Sequence, residues 1–136
     1  MPAPVELLQK VPLFADLERR ELENIAETMK ERRYSAGDTV TEEGAGGAGF
    51  FVIGEGEAEV SVHGEHRRDL GPGDHFGEIA LVAETDRTAA IKAKTDLRCY
   101  GLTSWEFRPI VESNGAVAWK LLQRLGRMLR EAEAKT

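Results

Sequence analysis

The sequence predicts a mainly β fold with flanking helices, a jelly-roll β-barrel with helices on both sides of it along the chain. Three observations predict it. Short alternating runs punctuated by glycine and aspartate fill residues 31–102, and many short strands with regular turn signals are the pattern of sandwiches and closed barrels. Helical periodicity holds over about 4–30 and again over about 103–133. Inside the middle segment only FGEIALVAETDRTAA, residues 76–90, departs from strand alternation, and its apolar part has the length of a helical turn or two. With 136 residues the chain is long enough for one core that buries roughly two thirds of the surface of the unfolded chain. We therefore expect a single domain over 1–136.

The elements follow in order. VELLQK opens a helical stretch that Pro12 breaks in VPLFADL, and ERRELENIAETM resumes it. Leu22, Ile25, Ala26 and Met29 recur at intervals of three and four, which makes one apolar stripe, with Asp16 as the expected cap. Strands are expected in ERRYSAGDTVTEEG, GFFVIGEGEAEVSVHG, EHRRDLGPGDHFG and RTAAIKAKTDLRCYGL. Val60 and Val62 alternate with polar neighbours, GEGE separates two strands and GPGD marks a tight turn. TSWEFRPIVES reads as a short helix capped by Thr103 or Ser104, with Glu106 in its first turn. A longer helix starts near Asn114. Its Val117, Ala118, Leu121, Leu122, Leu125, Met128 and Leu129 form a broad apolar face that must pack on something, while Lys120, Arg124, Arg127 and Arg130 read as a solvated face.

Composition excludes several classes. The formal net charge is −6, so the chain lacks the basic field that non-specific nucleic-acid binding needs. No helix-turn-helix follows the last helix within these residues, so direct DNA reading is not expected. A single cysteine, Cys99, permits no internal disulfide and no thiolate metal cluster, and suits a reducing, cytoplasmic setting. The N-terminus lacks a basic segment followed by an apolar one, and apolar runs reach only four or five residues, so neither a signal peptide nor a membrane span is expected. A cupin-type enzyme would need clustered histidines. His63, His66 and His75 show no H-x-H with a matching glutamate, so no metal site, cofactor or catalytic set is expected.

The stretch 76–90 carries the chemistry. The first turn of a helix offers free N–H groups to an anion. Gly77 allows close approach of a ligand to the backbone, and Ala80 presents an amide without a bulky side chain. Nine residues after Glu78, Arg87 brings a fork suited to phosphate oxygens. A carboxylate beside a phosphate makes sense if it accepts a hydrogen bond from a sugar hydroxyl of the same ligand. Spacing alone also fits a second reading, in which Glu78 caps the short helix and Arg87 pairs with Asp86 or Glu84.

FGEIAL, a short spacer and RTAA together resemble the phosphate-binding cassette of the cyclic nucleotide-binding domain family, found in catabolite activators, kinase regulatory subunits and cyclic-nucleotide-gated channels. AGDTVTEEGAGGAGFFVIGEGEAEV, LGPGDHFGE and PLFADLERRELENIA resemble the flanking regions of that family. The resemblance implies that Glu78 and the Gly77 backbone hold the ribose 2′-hydroxyl, with Ile79 also among the nucleotide-binding residues. It implies that Arg87, with amides around Ala80 and Ala89, holds the cyclic phosphate. Val60 or Val62 would line the base pocket, the last helix would close as a lid, and Arg124 is a candidate to stack on the purine. Thr88 follows the arginine as in cGMP-dependent kinases, yet cAMP receptors also carry serine or threonine there, and cAMP is the expected ligand over cGMP. Three departures from the family pattern are Asp86 in place of proline, Ala90 in place of threonine or serine, and the glycine-rich GAGGAG loop. The implied function is an allosteric cyclic nucleotide receptor that signals through its C-terminal helices to an effector protein or a second copy. The alternative is a scaffold of the same fold that has lost its ligand.

Overall fold

The computed structural model describes residues 3–41, 49–83 and 89–135, apart from the Ala80 side chain. The helices are α1 (Val5–Leu8), α2 (Arg19–Thr28), α3 (Ser104–Glu112) and α4 (Gly115–Ala134), with 3-10 turns at Pro12–Phe14 and Glu78–Leu81. The strands are β1 (Lys30–Tyr34), β2 (Thr39–Thr41), β3 (Gly49–Glu55), β4 (Ala58–Val62), β5 (Glu65–Leu70), β6 (His75–Phe76), β7 (Ala90–Ala93) and β8 (Leu97–Thr103). They form two four-stranded antiparallel sheets, in the orders β1-β8-β3-β6 and β2-β7-β4-β5. That order is the jelly roll, although among the described residues the strands make two sheets rather than one closed barrel.

Tight turns connect the strands. His63 and Gly64 both have positive φ, 53° and 79°, as a two-residue hairpin that follows the strand twist requires. Within GEGE, Gly56 has φ 94°, and a Cβ there would meet the Asp96 carbonyl oxygen at 2.2 Å. Glycine is obligatory at that crossing of two hairpins.

β3 divides the core. Phe50 and Val52 turn to one face and join a cluster with Leu13, Phe14, Leu22, Ile25, Leu81, Leu102, Phe107, Val117 and Leu121. Ile53 turns to the other and joins Ala58, Val60, Leu70, Phe76, Ile91, Ala93 and Leu97, with Phe51 packed against them. The first is a helix-facing core and the second lies between the sheets.

As expected, the N-terminal stretch is two helices split by the Pro12–Phe14 turn. Three other features of the helices depart from expectation. Asp16 is not the cap of α2: Glu18 holds that position, and Glu21 Oε1 accepts its N–H at 2.8 Å. Asp16 instead accepts from Arg124 at 2.8 Å and from Arg127, because the fold returns α4 to this turn, a proximity that local spacing does not encode. For the same reason the basic face of α4 is not simply solvated. Lys120 Nζ lies 2.7 Å from Glu21 Oε1, and that hydrogen bond, against a smaller opposing effect of burial, holds the Glu21 carboxyl below its usual value. The apolar face of α4 is only partly covered: Val117 and Leu121 are buried and Leu125 packs partially, but Leu122 and Leu129 stay exposed. At the other end of that layer the expected caps form. Thr103 Oγ1 accepts the Glu106 N–H at 3.3 Å, and Asn114 Oδ1 accepts the Val117 N–H at 3.2 Å.

Candidate ligand-binding site

The cassette starts where β6 ends. Phe76 stacks on Phe51 with centroids 5.1 Å apart, which anchors the strand end in the core between the sheets. Gly77 then takes φ 82°, ψ 16°, a left-handed conformation that costs other residues and reverses the chain. Glu78–Leu81 follows as a single 3-10 turn. Leu81 drops into the helix-facing core, so the turn is pinned on one side by Phe76 and on the other by Leu81. Ile79 and Val82 are left exposed. A groove of about 460 Å³ runs beside it, lined by Leu81, Val82, Trp105, Phe107 and Val111 among others.

Glu78 is largely buried, with 16% of its side chain exposed. Its Oε2 accepts the Leu13 N–H at 3.1 Å, and its Oε1 lies 3.4 Å from His75 Nε2. The His75 ring packs edge-on to Phe50 at 6.2 Å, on the helix-facing side of β3. His75 Nε2 is buried and makes no hydrogen bond.

The structure brings Gly77, Glu78, Ile79 and the Ala80 backbone together on the turn, with Ala89 packed against the core between the sheets. Ala90 opens β7 opposite Ser61, and Val60 pairs with Ile91. Val60 belongs to that core whereas Val62 is half-exposed and does not. Arg87, Thr88 and Asp86 lie outside the described residues, as does most of the GAGGAG loop. Arg124 is bound to Asp16 rather than free to stack on a base. Sequence reading missed the partners of Glu78. From sequence His75 is weighed only as a metal ligand, and the signal available was its i, i+3 spacing to Glu78 within DHFGE.

The remaining titratable groups have simpler surroundings. Glu59, His66 and Asp69 bring donor atoms within 4.8 Å of one another, but they are part of a largely exposed ion-pair network. His66 Nε2 lies 2.8 Å from Asp69 Oδ1, and Lys94 Nζ lies 3.2 Å from Asp69 Oδ2. Cys99 is buried, and burial pushes its thiol up to about 11, which makes it a packing residue rather than a nucleophile. No helix among the described residues is long and apolar enough to cross a membrane.

The family model described as cyclic nucleotide-binding domain matches residues 31–114, which includes the whole cassette. The chain belongs to the cyclic nucleotide-binding domain family. A cAMP-dependent protein kinase regulatory subunit from Blastocladiella emersonii is 40% identical over 97 residues, covering 68% of this chain and 24% of the relative. The chain thus spans about a quarter of that protein's length. The N-terminal domain of a transcriptional regulator from Streptomyces coelicolor superposes with a TM-score of 0.87 at 27% identity, covering 93% of this chain and 94% of that one. The Thermus thermophilus catabolite activator protein superposes at 0.72 with 27% identity, covering 91% and 61%. The jelly-roll order, the flanking helices and the cassette turn are therefore those of a cyclic nucleotide-binding domain.

Proposed function

We propose that this domain is a regulatory receptor for a cyclic nucleotide, cAMP in preference to cGMP, and not an enzyme. The observation that carries the reading is the cassette turn: a left-handed Gly77 followed by one 3-10 turn, fixed between two cores by Phe76 and Leu81. Amides presented by so short a fixed turn suit an anion of defined shape. In this reading Glu78 and the Gly77 backbone take the ribose 2′-hydroxyl. Arg87 takes the cyclic phosphate with the amides near Ala80 and Ala89, and Thr88 adds a hydroxyl beside it. Val60 is the better placed of the two valines to meet the base, since it alone belongs to the core between the sheets. The name of the Blastocladiella emersonii relative, a cAMP-dependent protein kinase regulatory subunit, supports cAMP as the ligand.

Signalling is a population shift. Nucleotide binds better to the state in which the C-terminal helices close over the base, and the shift is limited by its differential affinity for the two states. The uncovered Leu122 and Leu129 on α4 supply a surface for an effector protein or a second copy in the cytoplasm. The test is calorimetric titration with cAMP and cGMP, alongside Arg87→Ala. Saturable binding that the variant loses supports the receptor. Failure of the folded protein to bind either one supports the second reading, a ligand-free scaffold, which the prior engagement of Glu78 by Leu13 and His75 favours.

A further inference from the structure

We infer that Glu78 is a two-position carboxylate, held here in a latched position by the N-terminal turn and released by the nucleotide. The inference rests on the receptor reading and assigns to that site a coupling to the N-terminal helices.

The register of β3 decides which way the carboxylate faces. Phe50 and Val52 belong to the helix-facing core, whereas Phe51, Ile53 and Phe76 belong to the core between the sheets. His75 precedes Phe76 on β6 and, by strand alternation, turns to the opposite face. Its ring against Phe50 places it there. Leu13 lies in the same helix-facing core. Both oxygens of Glu78 therefore face the helix layer, one on the Leu13 N–H at 3.1 Å and one toward His75 at 3.4 Å. In the receptor reading the nucleotide sits in the pocket between the sheets, and a sugar hydroxyl approaching from there meets this carboxylate only after it leaves at least one of these partners.

Ligand and latch then compete for one group. The Leu13 N–H belongs to the Pro12–Phe14 turn, which packs against α4 and carries on to Asp16, the residue that pairs with Arg124 and Arg127. Withdrawing Glu78 frees an amide in the turn that seats α4. The chain from ligand to last helix runs Glu78, Leu13, Asp16, Arg124. His75 is a positioning residue in this scheme: its buried, unbonded Nε2 has Glu78 as neighbour and favours the latched position.

The test follows the Leu13 amide by ¹⁵N NMR and hydrogen exchange during titration of the full chain with cAMP and cGMP, in the wild type and in His75→Phe, which keeps a ring against Phe50. At saturation the Leu13 amide should shift and exchange about two- to tenfold faster, the range that one net hydrogen bond is worth, while the Lys94 amide, bonded to the Glu57 carbonyl away from this path, stays as it was. His75→Phe should bind nucleotide tighter by a similar factor. Binding that leaves Leu13 unchanged, or that weakens in His75→Phe, overturns the latch and leaves the receptor intact. Absence of binding in both proteins overturns the receptor and the latch with it. Binding that appears only in His75→Phe supports both.

Discussion

The two faces of β3 are packed to different ends. On the helix side, Phe14, Phe50 and Phe107 meet ring to ring, with centroids 5.8 and 6.0 Å apart, and all three are fully buried beside leucines and isoleucine from five helical segments and the cassette turn. On the other side the buried members are Ile53, Ala58, Val60, Leu70, Ile91, Ala93 and Leu97, with Phe76 and Phe51 stacked at the cassette. Dispersion and apolar burial scale with the number of close partners. The helix-facing cluster is the larger of the two, so the greater share of apolar stabilisation lies there. The cassette turn touches both, through Leu81 and Phe76.

The largest test of this contrast compares a deletion on each face. Phe14→Ala should fall at the upper end of the about 3–5 kcal/mol that such deletions cost and Phe76→Ala, on the other face, at the lower end, read from urea midpoints, and equal losses would end the distinction. Arg87→Ala should take roughly 2–5 kcal/mol from nucleotide binding while leaving the unfolding midpoint within about 0.5 kcal/mol of wild type. A comparable loss of folding stability would place Arg87 in the structural half instead.

Acid should erode the helix layer through Glu21. Its folded carboxyl lies below the ordinary 4.5 because of Lys120, so its contribution is full above that value and is lost as pH falls through the depressed one. In Glu21→Gln the slope of stability against pH below about 4.5 should flatten in denaturant titrations. Removing the α3 cap, Thr103→Ala, should cost about 1 kcal/mol, with no effect on ligand affinity if α3 serves only the helix layer. The smallest effect is expected at Leu122→Lys, within about 0.5 kcal/mol of wild type because the side chain is exposed. Sedimentation of the same variant reports whether that face holds a second copy.

The same contrast explains what could be read from the sequence. The jelly roll was legible because glycines and aspartates fall where turns must, as at Gly56, Gly64 and Gly73, all with positive φ. The cassette was legible because Gly77 and the apolar residues that pin its turn, Phe76 and Leu81, fall within one short stretch of the chain. What escaped was long-range. Asp16 has the right chemistry for a cap and the right chemistry for an arginine, and only the return of α4, 108 residues later, decides between them. Periodicity showed that α4 has an apolar face, but not how much of it the domain covers. Glu78 was singled out from its neighbours in the chain, while its partner Leu13, 65 residues away, contributes a backbone amide that carries no signature in the residue type.

The anchoring of α4 has a mechanical consequence. The helix has 20 residues, about 30 Å at 1.5 Å per residue. Val117, Leu121, Leu125 and the Asp16 fork, which seat it on the body, all lie on its first two thirds. A tilt of about 10° about those anchors carries the far end roughly 2 Å, since some 10 Å of rod lies past the fork. In the proposed signalling scheme a tilt of that size would suffice to make or break a hydrogen bond at whatever the end of the rod touches.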